Sequence, residues 1–204
     1  RLGAHPQPGK RPVENMTQLH GYPRADGRVG IRNHVLVMPT VSCVNGVVNR
    51  VAREVPGAVC PTHGHGCGRA GAADLEIQFR VLSGMIRHPN VGAAVLVGLG
   101  CEVAGTGALL PHIGDPGKPL TVINVQEDGG SLKSGVLAAQ AARDHMSDLA
   151  CREKEPFEWD KMLVSIECGG SDAMSGVTAN VAMGAMADWL VDHGASVMFG
   201  ENTE

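Results

Sequence analysis

A chain of 204 residues is long enough to bury one substantial core, although length alone also permits two small lobes. Its 17 Lys plus Arg against 21 Asp plus Glu give a formal charge of -4, which excludes a broad basic footprint for nucleic acid but leaves room for a local anion pocket. No apolar stretch reaches membrane-spanning length and the first residues lack the apolar run of a signal peptide, so no membrane is expected and the cytoplasm is the expected compartment.

Residues 1–20 mix Pro, Gly and polar residues without periodicity and read as a flexible or extended leader. GYPRADGRVGIRN (21–33) follows. Its Arg24, Arg28 and Arg32 are four apart, but Pro23, Gly27 and Gly30 argue against a helical face. HVLVMPT (34–40) is a strand candidate, and SCVNGVVNRVAREV (42–55) turns into a helix whose stripe is Val44, Val47, Val48, Val51 and Val55. Ala58 to Cys60 can return to the sheet before the loop THGHGCGRAG (62–71). Leu75, Phe79, Leu82 and Ile86 mark a second helix that stops near Pro89. VGAAVLVGLG (91–100) is strand-like and ends in the glycine-rich turn CEVAGTG. PLTVINV (119–125) supplies another strand, and SLKSGVLAAQAARDHM (131–146) another helix. ACREKEPFEWD (150–160) is a charged connection containing a proline. KMLVSIE (161–167), a helix over about 179–193 and the strand ASVMFG (195–200) complete the pattern.

Strands alternating with helices predict an α/β fold: a three-layer, mainly parallel, Rossmann-like sheet with helices on both faces. On this reading residues 21–204 form one α/β domain, with the charged connection near 150–160 as its internal boundary.

Parallel sheets carry their chemistry outside the carboxyl ends of the strands. Cys43, Cys67, Cys101 and Cys168 all follow predicted strands in glycine-rich turns, whereas Cys60 reads as a buried thiol and Cys151 lies in the charged stretch. Thiolates suit zinc and iron-sulfur centres, and neighbouring glycines let the backbone approach a cluster. The four are therefore candidate metal ligands, with individual redox roles or plain structural thiols as the alternatives. HGHGC places His63, His65 and Cys67 at alternate positions, suited to a metal edge or to proton transfer; the alternative is a turn with exposed imidazoles. Arg28, Arg32 and Asn33 can bind a carboxylate and orient a hydroxyl, or can be a loop pinned by Asp26. Glu102 and Asp172 are candidate bases, Asp172 alternatively a turn cap. No GxGxxG, P-loop or GxSxG pattern follows a suitable strand.

The ordered strings GYPRADGRVGIRN, PTVSCVNG, HGHGCG, RHPNVGAAVLVGLGCE and IECGGSDAMSGVTAN resemble the altronate/galactarate dehydratase family, which includes the large subunit of sulfolactate sulfo-lyase. The resemblance covers about Gly21 to Glu204. It implies a carbon–oxygen lyase that dehydrates a polyhydroxy sugar acid such as altronate or galactarate to a 2-keto-3-deoxy acid. The alternatives are a sulfolactate sulfo-lyase fragment and a non-catalytic domain that binds a small acid.

The resemblance implies iron, as an iron-sulfur cluster or, alternatively, mononuclear Fe, Mn or Zn, on Cys43, Cys67, Cys101 and Cys168. It places Arg28, Arg32 and Asn33 at the substrate and Asp172 in a serine-aspartate turn. His63 carries over as a proton-transfer candidate, while His65 departs from the family pattern and is a candidate for selectivity. The expected partners are an acidic small-molecule substrate, a C-terminal domain that the chain stops short of, a small N-terminal-domain subunit and a second copy of the chain.

Overall fold

Apolar runs without alternation must be covered on both faces, and that is how the central strands are used. The computed structural model describes residues 18–68, 71–167, 170 and 172–200; the leader, apart from residues 18–20, lies outside the described residues. The chain divides into two compact units, one formed by Gly21–Glu155 and the other by the described part of 156–204 with residues 18–20. The division falls inside the charged connection.

In the larger unit, β3 (His34–Pro39), β4 (Val91–Gly98) and β5 (Leu120–Asn124) form a parallel sheet in that order. All eight residues of β4 are buried, because it is the middle strand and both of its faces are covered. On one face α1 (Asn45–Glu54) and α4 (Gly130–Ala150) pack Val47, Val48, Val51, Ala138 and Ala142 against Val35, Val37, Val95 and Val97. On the other, α2 (Ala72–Arg87) and α3 (Thr106–Ile113) pack Phe79, Leu82, Ile86, Leu109 and Ile113 against Leu36, Met38 and Leu96. Alternate strand residues thus feed two separate cores, as the period of two requires.

The expected return near Ala58 is a single parallel bridge, Leu36 with Val59. Val59 accepts from the Val37 N–H and donates to the Val35 carbonyl, both at 2.9 Å. Leu36 also pairs with Ala94 of β4, so Val59 lies on the opposite side of β3 from β4. The chain leaves β3 in one direction, touches the sheet at Val59, then crosses back to build β4 and β5 on the other side. That reversal makes the gap between the carboxyl ends of β3 and β4 the topological switch point, where open α/β sheets hold their ligands.

The arginine-rich segment preceding β3 is a hairpin. β1 (Leu19–Pro23) pairs antiparallel with β2 (Val29–Gly30), and Gly27 supplies the positive φ of 81° that the turn needs. A small sheet has the order β2–β1–β6, with β6 at Glu155–Phe157, and the division between the units falls within β1 and β6. In the smaller unit β7 (Leu163–Ile166) and β8 (Ser196–Phe199) form a parallel pair connected through α5 (Ala179–Asp192).

The expectation of one continuous Rossmann-like sheet is therefore corrected to an α/β fold with three small sheets, parallel and antiparallel. Each β-α-β crossover needs only its own two strands to be neighbours, so an alternating pattern cannot say which strands share a sheet. Helix α3 was not foreseen, because Pro111 and the flanking glycines hide its short apolar stripe.

Two contacts hold the ends of the sheet. At the amino end Gly92 leaves room for Asn33, whose Oδ1 lies 2.1 Å from where a Cβ on residue 92 would stand. We expect Gly92→Ala to lower stability by about 1–3 kcal/mol in urea unfolding, because Asn33 is held by Arg24 and the Leu149 carbonyl and has little freedom to retreat. At the carboxyl end the buried Glu102 accepts the Thr40 hydroxyl at 2.5 Å, the Leu99 N–H at 3.0 Å and the Gly100 N–H at 2.7 Å. Burial pushes this carboxyl up, but the hydrogen bonds outweigh burial and hold it below its ordinary value. A depressed folded-state pKa contributes stability above the ordinary carboxylate range that is lost as pH falls through the folded-state value. Glu102→Gln should therefore cost about 1–3 kcal/mol at neutral pH. The gap from wild type should narrow as urea unfolding is repeated below about pH 4.

Candidate functional site

Three backbone segments meet at the switch point. Thr40 to Cys43 leave β3, Leu99 to Glu102 leave β4, and the glycine-rich segment after Val59 runs across both. Ser42 N–H donates to the His65 carbonyl at 2.8 Å, Asn45 Nδ2 to the His63 carbonyl at 2.8 Å, and Val103 N–H to the Cys67 carbonyl at 3.2 Å. The HGHGC loop is thus fastened to the β3 exit at one end and to the β4 exit at the other. Gly64, Gly66 and Gly68 have open space where a Cβ would stand, so the rim beside the loop is accessible.

These bonds bring Cys43, Cys67 and Cys101 to one rim on three mutually bonded segments, and all three are exposed free thiols. Cys168 lies outside the described residues. Cys60 is half-buried and its thiol is pushed up by burial, which suits an inert packing role. The thiols have the donor chemistry that soft metals and iron-sulfur clusters prefer. Among the described residues, however, no three His, Cys, Asp or Glu side chains converge closely enough to hold an ion. The donor set has suitable chemistry, but its described members are not gathered round a common point.

The two histidines of the loop differ. His63 is half-buried; its Nε2 donates to the Pro39 carbonyl at 3.0 Å and its Nδ1 accepts the His65 N–H at 3.3 Å. Both ring nitrogens are thereby committed to backbone, and the ring holds the loop to β3. His65 is exposed at the same rim, with ring centroids 5.1 Å apart. Between them, Met38, Leu82 and Met85 line an apolar cavity of about 90 Å³ beside both imidazoles.

Glu102, named as a candidate base, is instead a structural anion, its oxygens committed to Thr40 and to the N–H groups of Leu99 and Gly100. Asp172 belongs to the smaller unit, where its Oδ1 accepts the Met174 N–H at 3.1 Å in a turn of the kind its capping alternative describes.

Arg28, Arg32 and Asn33 stand at the other end of the sheet. β3 begins at His34 and the thiol rim begins after Pro39, roughly 17 Å further along an extended strand. Arg28 forms a two-bond pair with Asp26 at 2.9 and 2.6 Å and donates to the Arg87 carbonyl at 2.7 Å. Arg32 donates its backbone N–H to Asn90, and Asn33 accepts from Arg24 at 3.0 Å. The motif therefore braces the chain as it enters β3, and it does not share the rim with the thiols.

Sequence reasoning missed Thr40, Asn45 and Gln78. Gln78 is buried on α2 and donates to the Thr40 carbonyl at 3.2 Å, so it props the β3 exit from below. A buried amide on the apolar stripe of a helix was the available signal. Asn45 opens α1 inside SCVNG, and the same string that exposes Cys43 supplies it.

Residues 21–150 match D-galactarate dehydratase/altronate hydrolase, second domain, and residues 159–204 match D-galactarate/altronate dehydratase, C-terminal. The chain is 35% identical over 184 residues to (2R)-sulfolactate sulfo-lyase subunit beta of Chromohalobacter salexigens, covering 90% of this chain and 46% of that protein. It is 36% identical over 214 residues to galactarate dehydratase (L-threo-forming) of Escherichia coli, covering 95% and 40%. It is 33% identical over 196 residues to altronate dehydratase of Escherichia coli, covering 90% and 38%. The chain thus spans less than half the length of these relatives. The expectation that it stops before the family's C-terminal half, and so requires a missing C-terminal domain as a partner, is overturned, because Cys168 and Asp172 fall inside the C-terminal match and not ahead of it. With both matches in register along the chain, it belongs to the D-galactarate dehydratase/altronate hydrolase family and carries sequence of that family's second and C-terminal domains.

Proposed function

We propose that the chain is part of a carbon–oxygen lyase that removes water from a polyhydroxy sugar acid, with the reaction at the switch-point rim. The observation that carries this reading is the coincidence of the family match over residues 21–150 with three thiol-bearing loops fastened together at the carboxyl ends of β3 and β4. In the dehydration the proton on the carbon beside the carboxylate goes to a base. The neighbouring hydroxyl leaves as water, taking a proton from an acid, and the resulting enol tautomerises to the 2-keto-3-deoxy acid. On this reading a histidine of the HGHGC loop, His65 at the exposed rim, would exchange a proton with a bound hydroxyl, and His63 keeps the loop seated on β3. Cys43, Cys67 and Cys101 would supply thiolates to iron or an iron-sulfur cluster. Such a group, when bound, supplies Lewis-acid polarisation of the carboxylate and hydroxyl oxygens. Glu102 and Gln78 keep the two strand exits at fixed separation, and the glycines of the loop leave room for the ligand.

A second reading is favoured by the 35% identity to a sulfolactate sulfo-lyase subunit, essentially equal to the 36% to galactarate dehydratase. The same proton abstraction then expels sulfite from the neighbouring carbon in place of water.

Anaerobically purified protein, assayed with galactarate, altronate and (2R)-sulfolactate, separates the readings. A 2-keto-3-deoxy product supports dehydration, sulfite release supports the second reading, and binding without turnover in the full-length protein would reduce the chain to a small-acid-binding domain. Iron and acid-labile sulfide should accompany the protein. Cys67→Ala and Cys101→Ala should each lose the metal and lower kcat by roughly 100-fold or more, at least about 2.7 kcal/mol of lost Lewis-acid stabilisation. Retention of iron in both variants would remove the thiols from the proposal.

A further inference from the structure

The amino end of the central sheet has its own chemistry. The turn 87–91 closes α2 and leads into β4, and cations occupy its carbonyls. Arg28 donates to Arg87 O at 2.7 Å, Arg24 to Pro89 O at 2.7 Å, and Lys118 to His88 O at 2.8 Å and Val91 O at 2.7 Å. A helix C-terminus draws cations in this way, but its dipole end is worth only about half an elementary charge. The charge collected here is larger. Five cations, Arg24, Arg28, Arg80, Arg87 and Lys118, line two adjoining cavities whose carboxylates, among the described residues, are those of Asp26 and Asp115.

The larger cavity, about 450 Å³, opens between the β1–β2 turn and the carboxyl half of α2 and is lined by Arg28, Arg80 and Arg87 with Asp26, Ser83 and Gly84. Asp26 is engaged by two nitrogens of Arg28. Arg80 has no ion pair or side-chain hydrogen bond among the described residues, and Arg87 makes one long contact, 3.5 Å, to the Ile113 carbonyl. Arg80 and Arg87 are seven apart on α2, two turns along one face. The positive field is felt by its neighbours: Lys118 is pulled down to about 8, first by burial and then by Arg24 and Arg28, although Asp26 opposes them.

We propose that this cavity is a binding site for a small dianion, a phosphate-bearing or dicarboxylate molecule, gripped by Arg80 and Arg87 with Arg28 held in place by Asp26. Paired guanidiniums recognise such groups through two parallel hydrogen bonds, and this open cleft of about 450 Å³ has room for a small metabolite. The site lies at the amino end of β3, away from the thiol rim, so the inference goes beyond the lyase reading and does not rest on it.

The test is equilibrium binding by titration calorimetry, with the 204-residue chain in low-salt, phosphate-free buffer. Inorganic phosphate and galactarate are titrated separately, so the two arms tell a phosphate site from a dicarboxylate site. Saturable binding of either that weakens roughly tenfold or more in Arg80→Gln/Arg87→Gln and falls with added salt is the expected result. No saturable binding of either dianion up to about 10 mM, or binding unchanged in the double variant, would overturn the proposal. Circular dichroism checks that the double variant is folded. If it is not, Arg80→Gln alone, at an exposed helix position, carries the same comparison with the same two outcomes. Metal loss or absence of turnover leaves this measurement untouched, so its failure and that of the lyase reading are separable.

Discussion

Everything at the candidate site depends on the parallel pairing of β3 with β4. Five successive register pairs, from Val35 with Ala93 to Pro39 with Val97, lock these strands side by side beyond a register shift at His34, with valines and alanines buried against helices on both faces. The bridge at Val59 then occupies the far side of β3 and forces the chain to reverse before β4 can be built. Without the reversal the two strand exits would be followed by connections turning the same way, and no crevice would open between them. The pairing is therefore the reason that distant cysteines share a rim.

What the pairing leaves undone, a few polar contacts complete. Parallel strands end in loops whose backbone groups have lost their ladder partners and must be satisfied some other way. Glu102 meets this need for Leu99 and Gly100 while reaching across to Thr40, and Gln78 takes the Thr40 carbonyl from beneath. Three short hydrogen bonds to one buried carboxylate are strong enough to outweigh its desolvation, so the residue stays charged and the two exits stay together. The loop across the top is held largely by its own backbone carbonyls, which leaves the thiols of Cys43, Cys67 and Cys101 exposed.

The two ends of the sheet have acquired opposite characters for a common reason. At the carboxyl ends, strand exits run into helix starts and glycine turns, where thiols and imidazoles gather. At the amino ends, the C-terminus of α2 presents carbonyls that attract Arg24, Arg28 and Lys118, and further arginines on the same helix add charge beyond what those carbonyls and nearby carboxylates neutralise. A chain of net charge -4 can therefore carry a concentrated basic cavity without a basic surface overall.

The amino-acid sequence by itself determined the order of the main elements, because the valine stripe of α1 and the Leu75–Phe79–Leu82–Ile86 stripe of α2 fit the helical period, while the short unbroken apolar run of β4, rich in valine and ending at glycines, suits a strand covered on both faces. It also placed Cys43, Cys67 and Cys101 after strands, since glycine-rich turns following apolar runs are local signals. Only the tertiary structure decided how the strands are shared among sheets, because pairing partners are chosen by long-range packing and β7 finds its neighbour in β8. It likewise separated Arg28, Arg32 and Asn33 from the thiol rim. They precede β3 by a few residues and Cys43 follows it by a few, so they look adjacent in the chain, but a fully extended strand between them carries the two groups to opposite ends of the sheet.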